Sequence, residues 1–534
     1  MSDKTKRIGY QDEERSPGLR LLKKGQKGLV RAVFSRLGLF VLLLLFQLFL
    51  AFAFIYWLRE YLPHFVALSL CFSAFMSLYL LNTDTDASAK ITWLLVIALF
   101  PALGAPLYCY TRSNLGMRLL KKRLEFLMEG TRDSITQDPE VIKSLREESP
   151  GTAALAHYLR RSGCFPVYKH TDVKYFPLGE DKWAELLRQL EQAEHFIFME
   201  YFIIDEGLMW GRVLEILAEK AAQGVEVRVM YDGTCEFSTL PTDYPKRLRE
   251  LGIQCKMFAP MTPFVSTYYN YRDHRKICVI DGHTAFTGGV NLADEYINRR
   301  ERFGHWKDTA VMLQGEAVKS FTLMFLQMWN VDEKEPDIDR YLNYPCRPRQ
   351  EAKGYVLPYG DCPLDSDKAG ERVYMDILNR ARDYVYIMSP YLILDGEMET
   401  ALKFAAERGV DVRLVLPGIP DKKMPWALAK THYTALLASG VKIYEYTPGF
   451  VHAKVFVSDD RKAVVGTINL DYRSLYHHFE CAAYLYGVDC IGDIKADVEN
   501  TIARSAQVLP DFMSREKPGI KLLGFLLKAL SPLM

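Results

Sequence analysis

The chain lacks the cysteine patterns of disulfide-stapled and zinc-binding proteins. Its 534 residues include ten cysteines, but none forms a C-x-x-C pair or a Cys/His cluster with zinc spacing. We therefore expect free thiols in a reducing compartment. A charge imbalance is also missing, because 67 Lys and Arg residues face 66 Asp and Glu residues. The overall charge thus gives no indication of a nucleic-acid partner.

Apolar residues are instead concentrated between positions 37 and 110. Residues 37–58 contain one polar side chain, Gln47. As a helix this run would be roughly 33 Å long, about the thickness of the bilayer core. It is too long and begins too late for a signal peptide. Two further apolar runs, 65–81 and 91–110, follow.

The charges around these runs leave the topology open. Ten Lys and Arg residues within the first 36 place the N-terminus in the cytoplasm. A basic cluster after the third run places the remaining chain there too, although three full crossings would separate the two ends. Pro101, Gly104 and Pro106 predict a kink or a re-entrant segment in the third run. We predict a multi-pass membrane anchor, with the rest of the chain on the cytoplasmic side.

The rest of the chain contains an internal repeat of two similar units. In each copy a buried strand is followed by a helix that runs into another strand, and then by a polar motif. This alternation predicts an α/β domain around a mostly buried sheet in each copy. The predicted organisation is a basic N-terminal segment (1–36), an apolar anchor (37–110), a linker with leading helices (111–169), a first α/β domain (170–331), a linker (332–355), a second α/β domain (356–510) and a C-terminal amphipathic helix (511–534). The last segment fits either a helix on a membrane surface or a buried terminal helix.

Both copies carry the pattern H-x-K-x4-D-x6-G-[GT]-x-N. The first copy supplies His274, Lys276, Asp281, Gly289 and Asn291, and the second supplies His452, Lys454, Asp459, Thr467 and Asn469. One H-x-K-x4-D arises by chance in about one chain in twenty-five. Two copies with glycine and asparagine at matching offsets therefore indicate a duplicated site.

The spacing of this motif predicts how its side chains project. Residues i and i+2 of a strand point to one face, so each His and Lys should enter the same site. We group Asp281 and Asp459 with the catalytic motif, although their odd separation places them better for structure than for attack. A small residue at Gly289 or Thr467 lets the backbone approach an anion. The amides of Asn291 and Asn469 can donate to phosphate oxygens.

Two such units facing each other suit a phosphodiester. The lysines and amides would stabilise the charge of the transition state, while one imidazole attacks phosphorus and the other protonates the leaving group. The sequence lacks the carboxylate cluster expected for Mg²⁺, so we predict no metal and no cofactor. Each imidazole needs an acceptor on its other nitrogen. Asp308 and Glu480, on the next predicted strand of each copy, are the candidates, with Glu295 a weaker one; ordinary salt bridges are the alternative role.

With these motifs the sequence resembles the phospholipase D superfamily and, more narrowly, the bacterial cardiolipin synthases. The stretches MEYFIIDEG (199–207), HWKDT (305–309) and NLDYRS (469–474) carry the resemblance beyond the motif itself. It implies two pseudo-symmetric phospholipase D-like α/β domains behind an N-terminal transmembrane helical segment. Two features depart from the family pattern: the basic N-terminus with a third apolar run, and Thr467 where many members have serine.

The resemblance also implies a ping-pong reaction that joins two phosphatidylglycerols into cardiolipin and releases glycerol. In that scheme His274 is the nucleophile and His452 the acid. The same residues fit a phospholipase D-type hydrolase or a transferase with another donor or acceptor lipid. A nuclease would need a basic, aromatic-interleaved groove, which this sequence does not supply. A non-catalytic scaffold would be expected to have broken motifs, and both motifs are intact. We therefore predict membrane lipids and no nucleic acid as partners; the oligomeric state is open. His432, His477 and His478 are expected to be structural.

Overall fold

The computed structural model describes residues 59–112, 117–259, 271–346, 349–365 and 367–533, with a few positions between 45 and 56. The basic segment 1–36 and most of the apolar run 37–58 lie outside the described residues. The predictions made for them therefore stay predictions.

From residue 62 onward, the described part of the chain has six α-helices before the first sheet. They are α1 (Leu62–Leu81), α2 (Ala87–Leu99), α3 (Gly104–Arg112), α4 (Met117–Gly130), α5 (Pro139–Glu148) and α6 (Pro150–Gly163). Within the described part of the chain, only Pro63–Leu81 is long and apolar enough to cross a membrane. Only 17% of this stretch is buried, whereas the core helix of a soluble protein is mostly buried.

The third apolar run is broken rather than continuous. Helix α2 ends at Leu99, and the chain turns before α3 begins at Gly104. A Cβ atom on Gly104 would lie 2.7 Å from Cα of Ile97, so the turn brings α3 tightly back onto α2. At about 20 Å, α2 is too short to cross a bilayer. The predicted interruption is therefore present, and α2 is not a simple crossing.

Each half of the remaining chain contains one large sheet. The first half comprises β1 (Asp172–Phe176), α7 (Gly179–Glu191), β2 (Phe196–Tyr201), α8 (Leu208–Ala222), β3 (Glu226–Asp232), α9 (Cys235–Ser238), α10 (Tyr244–Glu250), β4 (Gln254–Phe258), β5 (Arg272–Asp273), β6 (Lys276–Ile280), β7 (Thr284–Gly288), β8 (His305–Lys307), β9 (Ala310–Gln314), α11 (Val318–Trp329) and α12 (Asp339–Leu342). The second comprises β10 (Tyr355–Asp361), α13 (Ala369–Arg380), β11 (Tyr384–Met388), α14 (Gly396–Glu407), β12 (Asp411–Pro417), α15 (Lys423–Ala438), β13 (Lys442–Tyr446), β14 (Gly449–Val451), β15 (Val455–Ser458), β16 (Lys462–Gly466), α16 (Tyr472–Tyr476), β17 (His478–Tyr486), α17 (Ile491–Ala503), β18 (Ser505–Gln507), α18 (Phe512–Arg515) and α19 (Pro518–Lys528).

The two sheets have the same strand order, as the repeat predicts. The first runs β1-β9-β7-β6-β2-β3-β4, and the second runs β10-β17-β16-β15-β11-β12-β13 with β18 added at its edge. In both, the strands at the centre are mixed: β2 pairs with β3 in parallel and with β6 antiparallel, and β11 pairs with β12 and β15 in the same way. The structure therefore has the predicted pair of α/β units.

Helix α11 lies between the halves. It contacts β6 of the first sheet and β10 of the second, and all its residues except Lys319 are buried. One apolar cluster spans both halves, and a second lies almost wholly in the first half. The predicted linker at 332–355 is also partly ordered, because Tyr341 of α12 packs against the rings of Phe196 and Phe198.

Candidate active site

Two short strands cross from one half to the other, and each leads directly into a motif histidine. Strand β5 of the first half pairs in parallel with β17 of the second. Strand β14 of the second half pairs in parallel with β8 of the first. As a result, the backbone N–H of His274 donates to the carbonyl of Phe479 at 2.9 Å, and that of His452 donates to the carbonyl of Lys307 at 2.7 Å. The halves thus hold each other's histidines.

Glu480 of the second half accepts a hydrogen bond from the His274 ring. The Nδ1 atom of His274 lies 2.9 and 3.0 Å from the two carboxylate oxygens of Glu480. The Thr467 hydroxyl donates to the same carboxylate. With Nδ1 protonated toward Glu480, the lone pair of His274 is on Nε2. Thr467 therefore supports the carboxylate, which corrects its predicted role as a phosphate-binding residue.

The first half holds His452 in the equivalent way. Its Nδ1 atom lies 2.6 Å from Oδ2 of Asp308, and the backbone N–H of Thr309 donates to Oδ1 of Asp308 at 2.8 Å. A Cβ atom on Gly289 would lie 2.0 Å from that Oδ1 atom. Gly289 is therefore needed to make room for Asp308, and its predicted role in phosphate binding is likewise corrected.

Both motif lysines converge on the histidines. The ammonium group of each donates to the carbonyl oxygen of its own histidine, Lys276 to His274 and Lys454 to His452. The Nζ atom of Lys454 also lies 3.1 Å from Nε2 of His452. Strand β6 begins at Lys276 and β15 at Val455, so the histidines precede their strands rather than share a strand face with the lysines.

Burial lowers the pKa of all four groups. It brings the pKa of Lys276 to about 8 and that of Lys454 to about 7. Burial, followed by repulsion from Lys454, lowers the pKa of His452 to about 4. Burial and the two lysines hold the pKa of His274 well below its usual value. The result is a buried, electropositive site with two neutral imidazoles, a setting that attracts an anion.

The motif aspartates lie just after the C-terminal ends of β6 and β15, where they accept hydrogen bonds from the backbone. Asp281 accepts hydrogen bonds from the backbone N–H groups of residues 194–196 at 2.7 to 2.8 Å. Asp459 does the same for residues 382–384 at 3.0 to 3.1 Å. A five-residue strand separates Asp281 from Lys276, roughly 16 Å of chain. Their grouping with the catalytic residues is therefore wrong, and the structural role argued from their spacing is the one seen.

The two asparagines differ in what they bind. Asn291 accepts from the N–H of Ile203 at 3.0 Å and donates to the Tyr296 hydroxyl at 2.8 Å, so its amide has protein partners. The Oδ1 atom of Asn469 is buried without a hydrogen-bond partner among the described residues. This oxygen is an acceptor, so its lack of a partner does not bear on phosphate binding, for which the Nδ2 donor of Asn469 stays the predicted group. Glu295, the weaker orienting candidate, pairs with Arg300 and Arg302 instead.

His478 is a site residue that the sequence reasoning assigned to an ordinary structural role. Its ring centroid lies 5.3 Å from that of His274, and its Nδ1 atom lies 3.6 Å from Oε1 of Glu480. Burial lowers its pKa to about 4. The signal was present in the sequence, because His478 and Glu480 stand two apart on β17 and so share a face. Aromatic rings of Phe202, Tyr296 and Trp306 complete the walls around the two histidines.

Among the residues that the structure describes, two groups of side chains have donor atoms close enough to hold a metal ion. His274, His478 and Glu480 form one, with all three buried. Lys276 and Lys454 beside it oppose a cation. Glu371, Asp395 and Glu397 form the other, away from the histidines. There the Tyr476 hydroxyl donates to Asp395, and burial with Asp395 raises the pKa of Glu371 to about 8, which favours a shared proton. Three carboxylates thus meet where none were expected from the sequence.

Comparisons with known proteins agree with this architecture. A sequence model described as "Cardiolipin synthase, PLD-like domain" matches residues 186–329 and 374–502. One described as "Phospholipase D-nuclease N-terminal" matches residues 70–109. The crystal structure of a phosphatidylserine synthase from Haemophilus influenzae superposes with a TM-score of 0.53 at 13% identity, covering 68% of this chain and 93% of that one. This likeness shows the fold.

Sequence relatives span nearly the whole chain. An uncharacterised protein of Streptococcus mutans is 60% identical over 86% of this chain and 99% of its own. A cardiolipin synthase of Geobacillus thermodenitrificans is 33% identical over 90% of this chain and 95% of its own. One from Alkalihalophilus pseudofirmus is 33% identical over 81% and 86%. With a duplicated histidine motif, the shared fold and these relatives, the chain belongs to the cardiolipin synthase family of phospholipase D-like proteins.

Proposed function

We propose that the protein is a cardiolipin synthase that transfers a phosphatidyl group from one phosphatidylglycerol to another. The observation that carries this proposal is the pair of buried histidines, each with its Nδ1 atom on a carboxylate of the opposite half. Both imidazoles then offer Nε2 for chemistry. Lys276 and Lys454 supply positive charge for the phosphate, so the reaction as proposed needs no metal.

In the first step, Nε2 of His274 attacks the phosphorus of phosphatidylglycerol. The P–N bond forms as the bond from phosphorus to the glycerol headgroup oxygen breaks. His452 donates a proton to that oxygen, and glycerol leaves. Asp308 stabilises the His452 imidazolium before the transfer, and Glu480 stabilises the phosphorylated His274 ring.

In the second step, a headgroup hydroxyl of another phosphatidylglycerol attacks the same phosphorus. His452, now neutral, accepts the hydroxyl proton as the new P–O bond forms. The P–N bond breaks, which returns His274 and releases cardiolipin. Two phosphatidylglycerols thus give one cardiolipin and one glycerol, and water is not consumed.

The acid role requires a protonated His452, whose pKa is lowered to about 4. Burial causes most of this lowering, and repulsion from Lys454 adds to it. A bound phosphodiester brings a negative charge between the lysines and the ring. That charge cancels the repulsion and favours the imidazolium, so we expect substrate to raise the pKa of His452.

The proposal is tested by supplying the purified full chain with labelled phosphatidylglycerol as the sole phospholipid, in buffer that contains EDTA. Cardiolipin and glycerol in equal amounts are the expected products, identified by mass. Phosphatidic acid as the only product would favour a hydrolase and overturn the transferase. Adding phosphatidylethanolamine in a second reaction shows whether another headgroup serves as acceptor. A loss of activity in EDTA that Mg²⁺ restores would contradict the metal-free mechanism.

The proposed location follows from the same substrate. A lipid phosphodiester is found in a bilayer, and the apolar helix α1 precedes the catalytic halves. We propose that the protein is in the bacterial cytoplasmic membrane with its catalytic halves in the cytoplasm. Proteolysis of inside-out and right-side-out vesicles would distinguish this side from the other.

A further inference from the structure

The C-terminal helix α19 has an inner face that packs on the protein. Gly524 and Leu527 are buried. A Cβ atom on Gly524 would lie 2.7 Å from the carbonyl oxygen of Ala427 in α15, so the two helices approach closely at this point. Leu527 packs in a small apolar cluster with Ile393 and Tyr472. The helix is therefore docked in a fixed position and is not a loose tail.

The opposite side of α19 is apolar and exposed. Leu522, Phe525 and Leu526 have exposed fractions of 61%, 74% and 56%. They stand at i, i+3 and i+4, so they lie side by side on one face. Leu530, one turn further, is also exposed. We call these four side chains the outer apolar face.

The end of α19 contacts the apolar N-terminal helices. The carbonyl oxygen of Ala529, just after α19, accepts a hydrogen bond of 2.8 Å from the Thr92 hydroxyl of α2. Helix α2 packs on α1, the helix long enough to cross a membrane. Helix α1 exposes large apolar side chains such as Leu68 and Phe75, at 71% and 64%. Helices α1 and α19 thus both expose large apolar side chains, and α2 contacts both α1 and the residue that adjoins α19.

We propose that the outer apolar face is a membrane-docking surface whose occupant is the headgroup and upper acyl region of an anionic phospholipid bilayer. Three basic residues lie next to this face along the chain and suit anionic headgroups: Lys517, Lys521 and Lys528. Arg515, slightly earlier in the chain, pairs with Asp511. A second copy of the chain fits less well. An eleven-residue helix presents a face about 16 Å long and 10 Å wide, far below the roughly 800 Å² per partner of a stable protein interface.

The inner face connects this docking to the catalytic site. Tyr472, which packs with Leu527, follows Asn469 of the second motif by three residues, so at most about 10 Å of chain separates them. Docking of α19 therefore sets the position of the second motif relative to the bilayer. This consequence rests on the proposed function, since it matters only if the substrate is a membrane lipid.

The surface is tested on the full chain reconstituted into vesicles of phosphatidylglycerol and phosphatidylcholine with brominated acyl chains. Phe525→Trp adds an indole on the outer apolar face. Glu219→Trp adds one at an exposed position of α8 in the first half and is the matched control. After subtraction of the wild-type emission, we expect bromine to quench the added indole of Phe525→Trp at least about twofold and to leave that of Glu219→Trp unchanged. Equal emission of the Phe525→Trp indole with and without bromine would overturn the docking surface.

A second experiment replaces the outer face by Leu522→Ser/Phe525→Ser/Leu526→Ser. With phosphatidylglycerol in vesicles we expect KM to rise at least about tenfold, while turnover in detergent micelles stays within about twofold of wild type. If the triple variant has wild-type kinetics in vesicles, the outer apolar face does not contribute to catalysis. Conversion of a wild-type dimer into a monomer by the triple variant, measured by light scattering, would assign the face to a second copy and overturn the proposal. If wild-type protein makes no cardiolipin at all, the proposed function fails, whereas the quenching result still decides the docking surface.

Discussion

The Nδ1 atom of His452 lies 2.6 Å from Oδ2 of Asp308, a residue of the other half of the chain. The pair of His274 and Glu480 crosses between the halves in the opposite direction. Neither half alone contains a histidine together with its carboxylate. Strands β5 and β14, which pair with the opposite half, place each histidine beside its carboxylate. The duplication therefore yields one site whose two reacting groups depend on both copies.

Removing either carboxylate should impair the histidine of the opposite half. Asp308→Asn and Glu480→Gln keep side-chain size but lose the charge that orients and stabilises the ring. We expect each to lower kcat by roughly a hundredfold to ten-thousandfold, with a smaller change in KM. Steady-state kinetics with phosphatidylglycerol measure this. Glu185→Gln is a control carboxylate, because Glu185 pairs with Lys174 and Arg188, which take no part in the histidine site. Near-equal losses in all three variants would point to a general structural effect.

Substitution of Gly289 tests the position of the Asp308 carboxylate by a steric change alone. Gly289→Ala adds a Cβ atom that would lie 2.0 Å from Oδ1 of Asp308, so the carboxylate must shift away from His452. We expect kcat to fall at least about tenfold, because a misplaced orienting group costs catalysis. Gly492→Ala is the matched control, since a Cβ atom there meets nothing within 4 Å. Wild-type turnover in Gly289→Ala would show that the position of Asp308 is not critical.

The pH dependence should report the two lysines. An ammonium group is charged below its pKa, and the pKa is about 7 for Lys454 and about 8 for Lys276. The value of kcat/KM follows the free enzyme, so loss of the His452 proton already lowers it above a pH of about 4. It should fall more steeply as the pH rises through 7 to 8, when the site loses the charge that binds phosphate. In Lys454→Arg the guanidinium stays charged, so the alkaline limb should move up toward 8. In Lys276→Arg the alkaline limb should remain near pH 7. An alkaline limb that stays at the wild-type pH in both variants would contradict this assignment.

Much of the architecture was predictable because the repeat is strong at the level of pattern. The matched helix-to-strand stretches predicted two like sheets, and both sheets have one strand order. Asp308 and Glu480 were found because a histidine base needs an acceptor. Their exchange between the halves was not predictable, because it depends on β5 and β14, strands of two and three residues that carry no periodic signal.

The small residues of the motif were misread for a related reason. Gly289 and Thr467 stand at equivalent positions, and an anion-binding role suited both. In the structure these two residues contact the carboxylates in different ways. Gly289 leaves space for Asp308, whereas the hydroxyl of Thr467 donates to Glu480. An aspartate side chain reaches less far than that of glutamate, so the two copies cannot use the same neighbour. Such a difference appears only when both halves are seen together.

The roles of the two histidines can be separated by trapping the intermediate. In the proposed reaction His274 forms a bond to phosphorus and His452 moves protons, so His274→Ala and His452→Ala should each lower turnover at least about a hundredfold. With a phosphatidyl ester of p-nitrophenol, the leaving group departs without a proton. His452→Ala should then still accumulate labelled phosphohistidine, whereas His274→Ala should accumulate none.

The measurement is label retained on protein after rapid denaturation in alkaline detergent. Glu480→Gln should resemble His274→Ala, with little label, because it weakens the nucleophile. Asp308→Asn should resemble His452→Ala, with label that forms and persists, because it weakens the proton donor and acceptor. Label retained in His274→Ala but lost in His452→Ala would reverse the assignment of the two histidines. Near-normal turnover in either alanine variant would refute a shared site, since each half would then act without the other.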